Sequence, residues 1–327
     1  MEKFKESKFI KLIGFQRVII FLVLVLLYVG FAILSPTFVS YSRIISALNY
    51  VYFLGFLALG ETFVIATAGI DFSIGPVMFC SALIGGQLLV KGGWPAFPAM
   101  LICIGIGLLF GIMNGFLVAY LKLPPFISSM AGMMLAKGIG SVYTRTQSVS
   151  WPTSASEQGW YRNLFKIDIG GTSIPTGLIF LLIVAIICAL ILNKTKAGRY
   201  ILSIGSNKEA VRLSGVDVRK WEALAYIICG TLAGFAAIAY VGAYTTVQPG
   251  LGDTFNNDAI ASAVMGGTSM TGGVASISGT VLGVFIISLL QEGILAMRFQ
   301  KDYQYLITGI IVIVAVLLDI RSRKSRV

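Results

Sequence analysis

The chain of 327 residues contains no histidine. That absence removes histidine-based triads, zinc–histidine sites and imidazole proton relays. Charge is scarce as well: 12% of residues are Asp, Glu, Lys or Arg, against about 25% in a soluble domain. Acids are the scarcer sign, 14 against 25 basic residues. The four cysteines, Cys80, Cys103, Cys188 and Cys229, lie in four separate apolar runs with no Cys-x-x-Cys pair. This argues against a disulfide framework or a zinc site and for small core residues. A phosphate loop is also missing. The run from Gly267 to Gly273 has glycines near the required spacing, but Gly273 and Val274 stand where Lys and Ser or Thr would be. The chain therefore does not hydrolyse ATP by itself. With no nucleophile–base pair and no metal set, the expectation is a non-enzyme with no catalytic residue, metal or cofactor of its own.

What is present is oil. Apolar residues make up 57% of the chain and the mean hydropathy is +0.88. A spanning helix needs about 20 mostly apolar residues. Such runs fall near 17–35, 48–68, 73–90, 95–121, 124–144, 175–193, 223–245, 258–273, 278–297 and 303–320. The expectation is one all-α, polytopic transmembrane domain over 1–327, of about ten spans. The Gly-rich stretch Ala261–Thr280 is broken, so a short or re-entrant segment is expected near 258–297. The run from Val18 to Leu34 is long for a signal peptide and no A-x-A site follows it; it reads as an uncleaved first span.

The charges are placed asymmetrically. Five basic residues precede the first span (Lys3, Lys5, Lys8, Lys11, Arg17), seven lie between Lys194 and Lys220, and four follow the last span. Ten spans and the positive-inside rule put both termini and the segment 194–222 on the cytoplasmic side of a cell (inner) membrane, with anionic membrane lipid as counter-charge. No aromatics interleave with these charges to stack bases, so nucleic acid is excluded as a partner. The segment 145–174 is the one sizeable extracytoplasmic loop, and its Trp151, Trp160 and Tyr161 suit a stretch lying at the membrane interface.

The segment from Thr195 to Glu222 is polar and basic, with Ala210, Leu213 and Val216 at helical spacing. A membrane protein that presents such a helix to the cytoplasm docks something there. Inside or beside the spans stand Glu61, Asp71, Asn114, Asp258 and Glu292. Ionisable groups at depth face a bundle interior or a pathway. Glu61 and Glu292 are the most embedded in the pattern, while Asp71 and Asp258 lie near predicted span ends, where capping competes with a transport role. Asn114 either lines a pathway or bonds between helices. Glycines four apart (Gly107, Gly111 and Gly115; Gly230 and Gly234; Gly279 and Gly283) predict close helix packing, within the subunit before between subunits.

Five motifs in order carry a resemblance across nearly the whole length: A-G-I-D-F-S-I-G at 68–75, G-x-x-N-G at 111–115, L-P-P-F-I at 123–127, the block from Gly198 to Val216, and D-A-I-A-S-A-V-M-G-G-T-S-M-T-G-G at 258–273. The chain resembles the permease subunit of ATP-binding-cassette importers, in the ribose/galactose/xylose-type carbohydrate branch. The resemblance implies a bacterial inner-membrane permease that works in a pair, homodimeric or heterodimeric. It implies cytoplasmic ATPase subunits that bind ATP, and an extracytoplasmic solute-binding protein. It makes Gly205, Asn207, Glu209, Ala210, Arg212, Leu213 and Gly215 the ATPase-coupling residues of the 194–222 loop. Glu61, Asp71, Asn114, Phe126, Asp258 and Glu292 are carried forward as pathway candidates. Ser206 replaces a second glycine, Asn256-Asn257-Asp258 replaces Glu-Leu-Asp, and Lys137-Gly138 replaces Arg-Gly. A monosaccharide or similar small polar solute is expected, with a nucleoside or furanose signal molecule as the alternative. A self-powered transporter or channel is the reading from another class; it would draw on Glu61 and Glu292 but leaves the docking loop without a purpose.

Overall fold

The computed structural model describes residues 15–310, except 171 and 301, and residue 313. The described chain is a helical bundle with two minimal two-stranded sheets. Its helices are α1 (Phe15–Leu34), α2 (Tyr41–Ala66), α3 (Ile74–Val90), α4 (Ala96–Ala119) and α5 (Pro125–Thr144), then the four-residue α6 (Arg162–Phe165). They continue as α7 (Gly177–Lys194), α8 (Lys196–Leu213), α9 (Val218–Ala243), α10 (Asp253–Met265) and α11 (Ile277–Ala296). Six of these, α1, α2, α4, α7, α9 and α11, are long and apolar enough to cross a membrane. The tenth predicted span is helical at 302–310, and the rest of it, 313 apart, lies outside the described residues.

Prolines punctuate the starts. Pro125 opens α5, Pro95 precedes α4 and Pro76 sits in the first turn of α3. There the missing N–H costs nothing, because first-turn N–H groups have no intrahelical partner.

The central element is α2, with every residue from Tyr50 to Ala66 buried. It is wrapped by α9, α11, α10 and α7, while α1 turns most of its apolar surface outward. Lipid tails are as apolar as leucine, so this packing depends on close approach more than on water exclusion. The glycine ladder supplies it. A methyl group at Gly107 would lie 2.3 Å from the Gly230 carbonyl, at Gly111 2.6 Å from that of Tyr226, and at Gly115 2.8 Å from that of Ala223. The four-residue spacing on α4 thus meets α9 backbone to backbone inside one chain. Gly279 and Gly283 do the same against Gly266 and Ser262, joining α11 to α10.

The segment 145–174 packs differently from the expectation. Trp151 and Tyr161 do not lie at an interface: they are buried, and the Trp151 indole donates to the Ala82 carbonyl at 2.9 Å. Trp160 alone of the three is exposed. The cause is β1 (Val149–Ser150), which pairs with β4 (Thr246–Val247) and pulls the loop down over α3. A hairpin of β2 (Ile167–Ile169) with β3 (Thr172–Ile174) follows, packed against α6.

Two helices, α3 and α10, start side by side part-way down the bundle. The Val149 side chain rests against Gly86, and the Gly252 carbonyl lies where a methyl group on Gly75 would be. Gly75 is eleven residues below Gly86 on α3, about 16 Å. The chain therefore drops from the β1–β4 pair into the bundle between Val247 and Gly252 before α10 begins. From Asp253, α10 runs about 18 Å further to the turn that contacts the end of α2, where the Gly273 N–H donates to the Ala66 carbonyl at 3.0 Å. The expected short segment is thus α10, and its break comes before residue 253 as well as at 266–276.

Candidate functional site

The polar segment expected as a loop with a short helix is an 18-residue helix, α8, with a kink. Thr195 caps its start by accepting from the Gly198 N–H at 3.3 Å. Asn207 leaves helical geometry (φ −159°, ψ 94°), and its side chain accepts from the Ala210 N–H at 3.0 Å. Asn207 is therefore the N-cap of a second, short helix that runs to Leu213. That helix closes with Gly215 at φ +82°, a conformation in which a side chain would clash with the backbone. Val216 lies beyond the helix end, so the predicted Ala210–Leu213–Val216 face does not exist as one stripe. Val216 packs instead with Ile204, Val211, Val218 and Trp221, and Leu213 points outward, 73% exposed.

The second half of α8 carries a detached polar surface. Glu209 and Arg212 pair with each other through two hydrogen bonds, at 2.5 and 2.9 Å, and both are well exposed. The Arg212 hydrogen bond holds the Glu209 carboxyl below its ordinary range. Lys208 instead reaches back and places its ammonium 2.7 Å from both oxygens of the buried Glu222 on α9. Between α8 and the ends of α2, α4, α5 and α9 lies a cleft of about 1230 Å³, whose walls include Lys122, Gly205, Glu209, Arg212, Arg219 and Glu222.

The first half of α8 packs on α7 and α9, with Ile201 buried in the main core, and it meets two turns of the bundle at one residue. A methyl group at Gly205 would fall 2.0 Å from the Ala66 carbonyl oxygen and 2.4 Å from the Gly273 nitrogen. Gly205 thus rests on two turns at once, the one that follows α2 and the one between α10 and α11.

The α2–α3 turn leads straight to the buried polar groups. Asp71 donates its N–H to Glu61 Oε1 at 3.0 Å, and its own carboxylate accepts from the Ser73 N–H (2.8 Å) and hydroxyl (2.5 Å). Asn114 donates to both Asp71 oxygens, at 3.3 and 3.4 Å, and to the Ser73 hydroxyl at 2.9 Å. Ser128 reaches Asn114 Oδ1 at 3.5 Å, and the Cys229 thiol lies 3.8 Å from Glu61 Oε2. Glu61, Asp71 and Asn114 therefore form one cluster that knits α2, α3, α4 and α9. Asp71 is not the cap of α3: the cap position is Ser73, without a side-chain cap hydrogen bond, and the Asp71 carboxylate instead holds the Ser73 N–H and hydroxyl.

The other three candidates lie apart from that cluster. Asp258 is not a cap, because α10 starts five residues earlier; it accepts from the Tyr50 hydroxyl at 2.5 Å and the Gln304 amide at 3.3 Å. Glu292 is buried but near the end of α11, paired with Arg43 at 3.1 Å. Phe126 stands exposed on α5 and meets Phe72 edge-on, ring centroids 5.7 Å apart. Sequence reasoning missed Asn256, which accepts from the Gly75 N–H at 2.7 Å and donates to the Phe72 carbonyl at 2.5 Å. It also missed the Lys137–Asp253 ion pair at 2.5 Å. The available signals were an amide where an acid is usual and one lysine within a span.

A multi-pass helical bundle with half-depth helices, and an outlying basic helix seated on its turns, defines a membrane transport component of a bacterial cell membrane. Residues 43–316 match the family model described as branched-chain amino acid transport system / permease component, and the chain belongs to that family. It is similar to the ribose import permease protein of Bacillus subtilis, 34% identical over 300 residues that cover 91% of each chain. It is also similar to the fructose import permease protein of Rhizobium meliloti, 32% identical over 93% of this chain and 85% of that protein. The xylose transport system permease protein of Haemophilus influenzae is 28% identical over 97% and 99%. No solved structure matches the chain.

Proposed function

We propose that this permease imports a monosaccharide or a similar small polyol, driven by ATP hydrolysis on separate cytoplasmic ATPase subunits that dock on α8. The observation that carries the reading is the seat of Gly205 on the two turns, with the Asn207-capped half-helix projecting beyond it. A push on the exposed half, Glu209 to Leu213, passes across the Asn207 kink to the turns that Gly205 and Ser206 touch. One turn carries Asp71 and the other ends α10, so both half-depth elements shift together, as a two-state packing requires. The names of the curated relatives speak for a sugar over the amino acids of the family description. A second permease copy and an extracytoplasmic binding protein complete the reading, with α8 and both termini facing the cytoplasm.

Uptake of labelled ribose, fructose and xylose by cells of the source organism, with and without the gene, tests the solute. Loss of energy-dependent uptake of at least one sugar on deletion is the expected result. Purified chain that moves solute across liposomes without ATP or partners would overturn the proposal.

A further inference from the structure

The Lys137–Asp253 pair sits where an ion pair is hard to explain as surface decoration. Lys137 is twelve residues from the start of α5 and seven from its end, about 18 Å and about 10 Å along the axis. Asp253 is the first residue of α10, at the half-depth start described above. Both side chains are open on the face shared by α5 and α10, 27% and 56% exposed. Ionised groups at that depth are costly against lipid and normally face a water-filled path. Asn257 is one turn below Asp253 on the same side of α10, exposed, and its side chain makes no hydrogen bond among the described residues. Toward α8 the same stripe of α5 continues through half-buried Met133 and Met130 to the Phe126–Phe72 pair.

We propose that Lys137, Asp253 and Asn257 form a recognition station for a neutral polyhydroxylated solute, at half-depth on the α5–α10 face. The inference rests on the sugar-import reading and names the residues that would read the solute. Its chemistry is complementary. The carboxylate accepts from adjacent hydroxyls, the ammonium donates to hydroxyl or ring oxygens, and the amide does both. The paired charges sum to zero, so the site carries no net charge that would draw ions in preference to a neutral solute. Each ion can exchange its partner for solute hydrogen bonds without being stranded. Such a site holds solute weakly enough to release it, as a conduction step needs.

The test is saturated uptake of labelled ribose and xylose by cells that carry Lys137→Met, Asp253→Asn or the charge swap Lys137→Asp/Asp253→Lys, normalised to chain in the membrane. Each variant is expected to lower the saturated rate about tenfold and to change the ribose-to-xylose ratio, with co-purified ATPase unchanged. A pair that merely straps α5 to α10 would leave the ratio untouched and be restored by the swap, and either result overturns the proposal. If the unaltered chain supports no sugar uptake, the importer reading falls and takes this inference with it. An unaltered ratio in otherwise active variants overturns the inference alone.

Discussion

Gly205→Ala is the smallest change that should lift α8 off the two turns. The added methyl group would lie 2.0 Å from the Ala66 oxygen and 2.4 Å from the Gly273 nitrogen, whereas carbon and carbonyl oxygen come no closer than about 3.3 Å. Both obstacles are backbone, so no side chain can swing aside. The helix must lift by roughly 1 Å or the two turns must open, at a cost of about 1–3 kcal/mol by analogy with overpacked cores. Spread over a two-state equilibrium, that is about 5- to 150-fold. Fast ATP hydrolysis with energy-dependent uptake reduced about tenfold is the expected phenotype, measured together on one membrane preparation. Gly105→Ala is the control: nothing lies within 4 Å of its added methyl group on α4, and alanine favours a helix. Wild-type uptake by a well-expressed Gly205→Ala chain would refute the argument that α8 acts through this contact.

The double change Glu209→Lys/Arg212→Glu keeps the i,i+3 pair of the short helix but reverses the charges it shows; it should abolish ATPase binding while the chain stays folded, and retained binding by pull-down would count against docking there. Because Arg212 lowers the Glu209 pKa, the pair contributes above the unfolded carboxylate pKa and is lost only as pH falls through the lowered folded value. ATPase docking should therefore persist below the usual carboxylate range, as a pull-down pH series would report. Trp151→Ala, which empties a fully buried site and removes the indole hydrogen bond to the Ala82 carbonyl, should cost about 3–5 kcal/mol, read as a lower melting temperature in detergent, whereas Trp160→Ala should change it little. All four thiols are buried and free, so a maleimide should label none of them in the folded chain and all four after denaturation; rapid native labelling of Cys229 would contradict its place beside Glu61.

The parts legible in the sequence were those with local rules. Apolar run length marks spans, and glycines four apart mark close approach wherever the partner lies; that is why the α4–α9 contact could be anticipated without its partner being known. Basic residues bracketed α8, but its kink could not be read, because Asn207 is an ordinary helix residue until its side chain turns back to cap Ala210. Trp151 was misplaced for a related reason. Tryptophan suits both interfaces and cores, and only the pairing of Val149 with Val247, 98 positions along, decides between them. Arg43 with Glu292 and Lys137 with Asp253 are likewise long-range pairs. The start of α10 was the hardest feature. The half-depth drop is set by Gly252 against Gly75, a backbone contact with no hydropathy signature.

The central claim is that α8 is the seat of an ATP-driven motor. Co-purification from membranes in mild detergent, with mass spectrometry of the bound proteins, tests it most directly. The account predicts a cytoplasmic ATPase in the preparation, lost when residues 205–216 are scrambled in a chain that still reaches the membrane. An ATPase that stays bound to the scrambled chain, or a chain that purifies alone and still transports, would contradict it.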